Sequence, residues 1–161
     1  MTSGQMILAI GGIFFLSLLI LNVNTSTGNR IIEVASNEAV IQATGIAEGI
    51  FEEIQSRAFD EETVSKPIDK ANKLTVHVKL GKDSTENLST SFDDVDDYNN
   101  YLETFNSSGM GDFDVRVNVY YVKEDDPDYE SFVRTFLKRV RVTIENQYLP
   151  VTLTFYRLVS Y

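Results

Sequence analysis

The sequence has no cysteine, a single histidine and no charged residue between Met6 and Val23, and each of these absences excludes something. Without cysteine there is no disulfide, thiolate nucleophile or cysteine-based metal site, so stability depends on packing alone. His77, the single histidine, has no second candidate base beside it, and no Ser-His-Asp arrangement, phosphate loop or zinc-ligand spacing is present. We therefore predict a surface histidine and a protein that is not an enzyme.

Basic residues are also scarce, because 14 Lys and Arg face 24 Asp and Glu, giving a formal net charge of −10. Such a charge repels the phosphates of DNA and RNA, so we do not expect a nucleic-acid partner. The length of 161 residues suits one apolar segment and one globular domain of ordinary size.

The most apolar stretch is Met6–Val23, which reads MILAIGGIFFLSLLILNV. As a helix these 18 residues span about 27 Å, close to the roughly 30 Å of a bilayer core. Met1–Gln5 lacks Lys and Arg, and Asn24–Gly28 contains no Ala-x-Ala, so a cleaved signal peptide is the weaker interpretation. The run has no polar face, which also disfavours a buried core helix. We expect a retained membrane segment.

A second helical pattern covers Asn29–Phe59, and its apolar residues recur mostly at steps of three and four. Two pictures fit the chain between the two segments. In one, Asn24–Gly28 is a flexible joint; in the other, one helix of about 50 residues is loosened near Gly11-Gly12 or Thr25–Gly28. The apolar stripe consists of Ile32, Ala35, Ala39, Ala43, Ile46, Ala47, Ile50 and Ile54.

Alternating apolar residues predict four strands after a connecting loop, Ala58–Ala71. We place the strands at Leu74–Leu80, Phe113–Tyr121, Val140–Ile144 and from Val151 onward. Short loops between successive strands favour an antiparallel meander, and its apolar face needs a cover. The predicted fold is α+β: a long N-terminal hydrophobic helix with a four-stranded antiparallel sheet packed on its C-terminal half.

Two further predictions concern the organisation of the chain. Residues 1–28 form the hydrophobic helix and joint, and residues 29–161 form the soluble domain. Ser107–Asp112 and the acidic stretch Glu124–Asp128, which contains Pro127, are predicted to be loops.

The start of the chain and one internal motif resemble type IV pilins and pseudopilins. MTSGQMILAI is similar to the family's FTLIEL start, with Met1 in the place of Phe, Thr2 matching, and Gln5 in the place of Glu. A variant alignment puts the prepilin peptidase site at Gly4-Gln5. The segment FDDVDDYNNY, residues 92–101, is similar to a motif of minor pilins of the mannose-sensitive haemagglutinin type.

The resemblance implies a structural subunit that prepilin peptidase and a pilus assembly machinery process and assemble. The chain would lie in the cytoplasmic membrane first, and then form a helical homopolymer in an extracellular filament at the cell surface. The residues expected to matter for assembly are Met1, Gln5, Gly11, Gly12 and Ser17. Two alternatives stay open: a minor pseudopilin of a secretion or pilus system, and a single-pass membrane anchor carrying a ligand- or partner-binding domain.

An acidic cluster within the same motif is a candidate calcium site, because calcium prefers several oxygen ligands. Its spacing is not that of an EF-hand, and the alternative is a helix cap near Val95 or a solvated turn. The candidate ligands are Asp93, Asp94, Asp96 and Asp97. The pattern Asn-x-Ser/Thr marks three candidate glycosylation sites, at Asn24, Asn87 and Asn106.

Overall fold

The structure is a computed structural model that describes residues 2–84, 86 and 88–161, and every side chain of its long helix except those of Ser26, Gly28 and Asn29. It consists of two α-helices and five β-strands, connected in part by single 3-10 turns. The fold is α+β, as predicted. The helices are α1 (Ser3–Gln55) and α2 (Glu61–Val64), and the strands are β1 (Tyr101–Ser107), β2 (Gly111–Lys123), β3 (Asp126–Glu130), β4 (Leu137–Glu145) and β5 (Leu153–Ser160).

The chain divides into two compact units, Met1–Glu38 and Ala39–Tyr161. In the first unit the backbone is helical from Ser3 onward, and it stays helical through Thr25–Gly28. Of the two pictures drawn from the sequence, the single helix of about 50 residues is the one observed. Gly and Thr cost helix stability locally, but the cost is not enough to end the helix here.

The second unit is built on an antiparallel sheet with the strand order β1-β2-β4-β5, and β3 pairs with the far end of β2. Every pairing is antiparallel, and Val117 of the long strand β2 faces Tyr101 on β1 and Val142 on β4. Neighbouring strands are connected by short turns, except where β3 intervenes. A strand that is paired on both sides leaves no open backbone edge, so β2 and β4 form the sheet's interior.

The last four turns of α1 cover the apolar face of this sheet. Ala39, Ala43 and Ala47 are fully buried at four-residue steps, and Ile50 and Ile54 continue the same stripe. The alanines share one buried cluster with the Val and Ile side chains of β2 and β4, which complete the core. The predicted cover is thus observed from Ala39 onward, whereas Ile32 is 70% exposed.

The complete burial of these alanines gives a testable expectation. Replacing Ala43 by Leu should lower the free energy of unfolding by about 1–3 kcal/mol, because three extra carbons must fit where no exposed area remains. The same side chain at exposed Thr44, one position along, should change it by less than about 0.5 kcal/mol. Urea unfolding of both variants compares them directly, and equal stabilities would mean that the helix does not press on the sheet.

The strand predicted at Leu74–Leu80 is wrong. A short 3-10 turn at Ala71–Lys73 precedes this segment, a second one at His77–Lys79 lies within it, and Val78 is 86% exposed. Alternation here does not define a buried face, since only Leu74 and Leu80 point into the core. Within the described chain this segment has no strand beside it, so a strand would leave its backbone groups unpaired.

Two loop predictions also need correction. The loop predicted at Ser107–Asp112 is shorter, because β1 ends at Ser107 and β2 begins at Gly111. β1 itself occupies residues 101–107, directly after the acidic residues of the motif FDDVDDYNNY. The acidic stretch Glu124–Asp128 is partly strand, because β3 pairs back on β2. Pro127 is tolerated in β3 because an edge strand does not need every N–H group.

Candidate functional site

The first candidate site is the apolar surface of α1. The large apolar side chains of Met6–Val23 are between 48% and 77% exposed. Of the helices that the structure describes, α1 is the one long and apolar enough to cross a membrane. A soluble monomer rarely leaves so large a continuous apolar surface in water, so this surface needs lipid or another protein.

Several polar groups of this segment form hydrogen bonds within the helix itself. Ser17 Oγ donates a hydrogen bond to Ile13 O at 2.8 Å, and Thr25 Oγ1 donates to the carbonyl oxygen four residues earlier at 2.9 Å. Gln5 Oε1 accepts the N–H of Thr2 at 3.1 Å, which is one half of a capping box. Hydroxyls bonded in this way can enter an apolar environment at little cost.

Gly11 and Gly12 leave two adjacent positions of the same helix without a side chain. A Cβ atom built at Gly11 or Gly12 would meet no atom within 4 Å among the residues that the structure describes. Packing inside this chain therefore does not require glycine at either position. Small residues of this kind let two helices approach closely in an apolar medium.

Four further residues singled out from the sequence lie outside the apolar run of α1 or outside the described chain. Met1 and Asn87 lie outside the described residues. Asn24 is exposed on α1, and Asn106 is exposed on β1, where its Nδ2 donates to Asp112 Oδ1 at 2.6 Å.

The second candidate site is a buried hydrogen-bonded network of acidic groups centred on Lys138. Its Nζ donates to Asp60 Oδ2 at 2.8 Å, to Asp96 Oδ1 at 2.5 Å and to Phe59 O at 2.7 Å, so all three ammonium protons are used. Lys138 and Asp60 have no exposed surface. The Lys138 ammonium also lies 4.3 Å from the centroid of the Phe59 ring.

Asp60 holds several segments together. As the N-cap of α2 it accepts the N–H of Glu62, and it also accepts from Thr75 N and from the Tyr121 hydroxyl at 2.7 Å. Burial alone would raise the pKa of Asp60, but the Lys138 ammonium and these hydrogen bonds lower it to about 2. The carboxylate is therefore ionised, and it fixes the stretch around Thr75 against β2 without a strand there.

The predicted acidic cluster is largely buried, and the expected solvated turn is not observed. Asp94, Asp96 and Asp97 are at most 3% exposed, while Asp93 is exposed. Asp96 and Asp97 begin a single 3-10 turn, Asp96–Tyr98, and Asp93 and Asp94 precede it. The helix expected near Val95 is therefore reduced to one turn.

The carboxylates of the cluster organise their own backbone. Asp94 Oδ1 accepts the N–H groups of Asp96 and Asp97, and Asp97 Oδ2 accepts those of Asp93 and Asp94. Asp94 Oδ2 and Asp96 Oδ2 are buried without a hydrogen-bond partner among the described residues. Burial raises the pKa of Asp94, Asp96 and Asp97 well above the usual carboxyl range, and charge repulsion from Asp96 adds to this for Asp94.

A cleft of about 380 Å³ opens beside the cluster. Its wall consists of α2, the segment around Thr75, and the turn that carries Asp94, Asp96 and Asp97. Lys73, Lys79 and Arg134 also line it. Two triads of carboxylates have oxygens within 4.8 Å of one another, Glu61-Asp93-Asp94 and Glu86-Asp93-Asp97.

His77 is not a freely solvated surface residue. Its side chain is 20% exposed, its Nε2 lies 2.5 Å from Glu130 Oε1, and its ring meets the Phe132 ring edge-on at 4.9 Å. These contacts connect the 3-10 turn at His77–Lys79 to the end of β3, so His77 has a structural role.

Sequence reasoning missed Asp60, Glu61 and Lys138. For Lys138 a signal existed, because the inward positions of β4 are Val140, Val142 and Ile144, and one more step of two reaches Lys138. For Asp60 the signal was Asp-Glu-Glu-Thr, which forms a capping box with Thr63. Neither signal indicates the partner, since Asp60 and Lys138 are 78 residues apart.

Comparison with protein-family models, curated proteins and solved structures finds no match to this chain. A long apolar N-terminal helix continues into a half that packs on an antiparallel sheet, and this arrangement is consistent with a pilin-like fold.

Proposed function

We propose that this protein is a structural subunit of a type IV pilin-like filament. It is held in the cytoplasmic membrane by the first half of α1 before assembly, and it polymerises into a cell-surface filament through the same segment. The observation that carries the proposal is that one unbroken helix is exposed and apolar at one end and packed against a sheet at the other.

The helix suits both environments that such a subunit meets. In lipid, an exposed apolar surface with its hydroxyls bonded to its own backbone is stable. In a filament the same surface packs against copies of itself, and Gly11 and Gly12 allow close approach. Prepilin peptidase and a pilus assembly machinery are the partners this function requires, and nucleic acid is not among them.

The single-pass anchor with a binding domain is the second candidate. The observation that favours it is the cleft beside the acidic cluster, which is large enough for a small ligand. An anchor needs only hydrophobicity, whereas a polymer also needs complementary helix surfaces.

Filaments held together by their helices should resist salt and dissolve in detergent. In water the buried apolar surface stabilises the polymer strongly, but a lipid-like medium removes almost all of that driving force. Sheared cell-surface material would be identified by mass spectrometry, incubated in roughly 1 M salt, where the screening length is about 3 Å, and separately in mild detergent, then imaged by negative stain.

The outcomes separate the candidates. Fibres of this chain that survive salt and disappear in detergent support the proposal. Fibres lost in salt and retained in detergent would show that surface charges hold the polymer, and the helix-core proposal would be abandoned. The chain found only in membranes, with no fibre, would favour the anchored binding domain.

A further inference from the structure

The buried acidic cluster contains more carboxyl groups than buried cations among the described residues. Asp60, Asp94, Asp96 and Asp97 are buried together, and Lys138 is the buried cation of the described residues that faces them. Lys138 is fully engaged by Asp60, Asp96 and one carbonyl group. Its charge therefore does not reach Asp94 through a direct contact, and isolated buried carboxylates are costly.

The carboxyl group of Asp94 is buried, and only one of its two oxygens accepts hydrogen bonds from the described residues. Its side chain is completely buried and lines the cleft, and its Oδ1 already accepts two backbone N–H groups. Its Oδ2 has no hydrogen-bond partner among the residues that the structure describes. A buried oxygen of this kind requires a proton, a water molecule or a cation.

Two further carboxylates converge on the same point. Glu61 lies in the first turn of α2, which Asp60 caps, and Asp93 is held by a bridge in which Ala58 N donates to Asp93 O at 3.0 Å. Carboxylate oxygens of Glu61, Asp93 and Asp94 all lie within 4.8 Å of one another. Two oxygens bound to one Ca²⁺ ion at 2.3–2.6 Å are separated by no more than about 5 Å, so the spacing suits a shared ion.

We propose that Glu61, Asp93 and Asp94 bind one divalent cation of the Ca²⁺ class beside the cleft that Glu61 and Asp94 line. All the donors are oxygen, which excludes a soft-metal preference, and the open side lets water complete a shell of six to eight ligands. Asp96 does not belong to the ligand set, because its Oδ1 is bound to Lys138. Asp97 is a positioning residue, because its Oδ2 holds the N–H groups of Asp93 and Asp94.

The site would have a structural consequence that is independent of filament formation. Ligands from α2 and from the turn before β1 are joined by the ion, so Ca²⁺ connects the segment after α1 to the sheet. Mg²⁺ should bind less well, because it demands a near-octahedral shell that these three fixed carboxylates do not provide.

The test uses the full chain in mild detergent, first stripped with a chelator. Ca²⁺ binding is measured by equilibrium dialysis, and the thermal midpoint is followed by circular dichroism with added CaCl₂ or MgCl₂. Asp93→Asn and Glu61→Gln are the site variants, both at exposed positions, so the fold should be retained. Asp125→Asn and Glu124→Gln are the matched controls, since they remove the same charges from an exposed acidic turn.

We expect Ca²⁺ to bind and to raise the midpoint more than Mg²⁺ does. Each site variant should weaken Ca²⁺ binding at least about tenfold, since outer-shell changes alone reach that factor, while the controls bind as the parent does. Absence of Ca²⁺ binding, binding unaffected by the site variants, or equal weakening in the controls would each overturn the proposal. The last two outcomes would indicate general attraction to an acidic surface.

Discussion

Replacing Lys138 by Met should lower the free energy of unfolding of the sheet domain by about 3–5 kcal/mol. The new side chain is apolar and similar in length, so the loss is not one of volume. It comes from the two carboxylates, Asp60 and Asp96, that would be left in the interior without their cation. Against a typical total of about 5–15 kcal/mol, this is a large fraction of the stability.

The size of the effect follows from burial rather than from the ion pair as such. An exposed pair such as Lys73-Asp69 contributes little to stability, because water solvates each partner when the other is removed. Water does not reach Lys138, whose side chain has no exposed surface. Removing one partner therefore leaves the full desolvation penalty of the others.

Urea unfolding of the full chain in mild detergent measures the loss, followed by the near-ultraviolet signal of its eight tyrosines. Lys123→Met is the matched control, since Lys123 is exposed on β2, and it should change stability by less than about 0.5 kcal/mol. The double variant Lys138→Met with Asp96→Asn should be less destabilised than the separate losses added together. Equal stability of Lys138→Met and Lys123→Met would contradict the network.

The sheet could be predicted from sequence where alternation coincided with burial. Val115, Val117 and Val119 of β2 are at most 2% exposed, and Val140 and Val142 of β4 have no exposed surface. For these strands a period of two is imposed by a buried face against the helix. The helix stripe could be read for the same reason, with the alanines at four-residue steps.

Alternation failed to predict the structure where a segment's hydrogen-bond partners lie far away in the sequence, or where its inward face is not apolar. Leu74–Leu80 alternates as well as a true strand does, yet it lies under Asp60 and Arg134, whose Nη1 donates to Leu74 O at 2.9 Å. Side chains distant in sequence satisfy its backbone instead of a neighbouring strand. β1 was missed because its inward residues Tyr101, Glu103 and Phe105 are only half-buried and mix polar with apolar groups.

The acidic cluster shows a limit of a different kind. Adjacent aspartates are ordinarily read as a solvated turn, and composition gives no indication that Asp94 and Asp97 are buried. Asp96, which lies between them, is buried against Lys138, a residue of another segment that meets it only in the fold. The apolar surface of α1 needed no such partner, so the sequence alone identified it as the membrane-competent segment.

Replacing Leu18 or Phe15 by Asp should abolish both membrane insertion and filament assembly. A carboxylate near the bilayer centre costs about 2.5–3.5 kcal/mol even on the lenient insertion scale, which is roughly a hundredfold in the equilibrium. Both side chains are about half to two-thirds exposed on α1 and face the surroundings directly. No basic residue lies within the Met6–Val23 run to pair with the new charge.

Carbonate extraction of membranes measures insertion, and imaging of sheared material measures assembly. Leu18→Ala is the first control, because it shortens the side chain without adding a charge and should still insert. Leu102→Asp is the second, since it makes the same change at a residue that is 62% exposed on β1, outside α1. Both controls should insert and assemble. If Leu18→Asp and Phe15→Asp also gave normal filaments, a carboxylate would be tolerated where the polymer is proposed to be dry, and the packed apolar core would have to be given up.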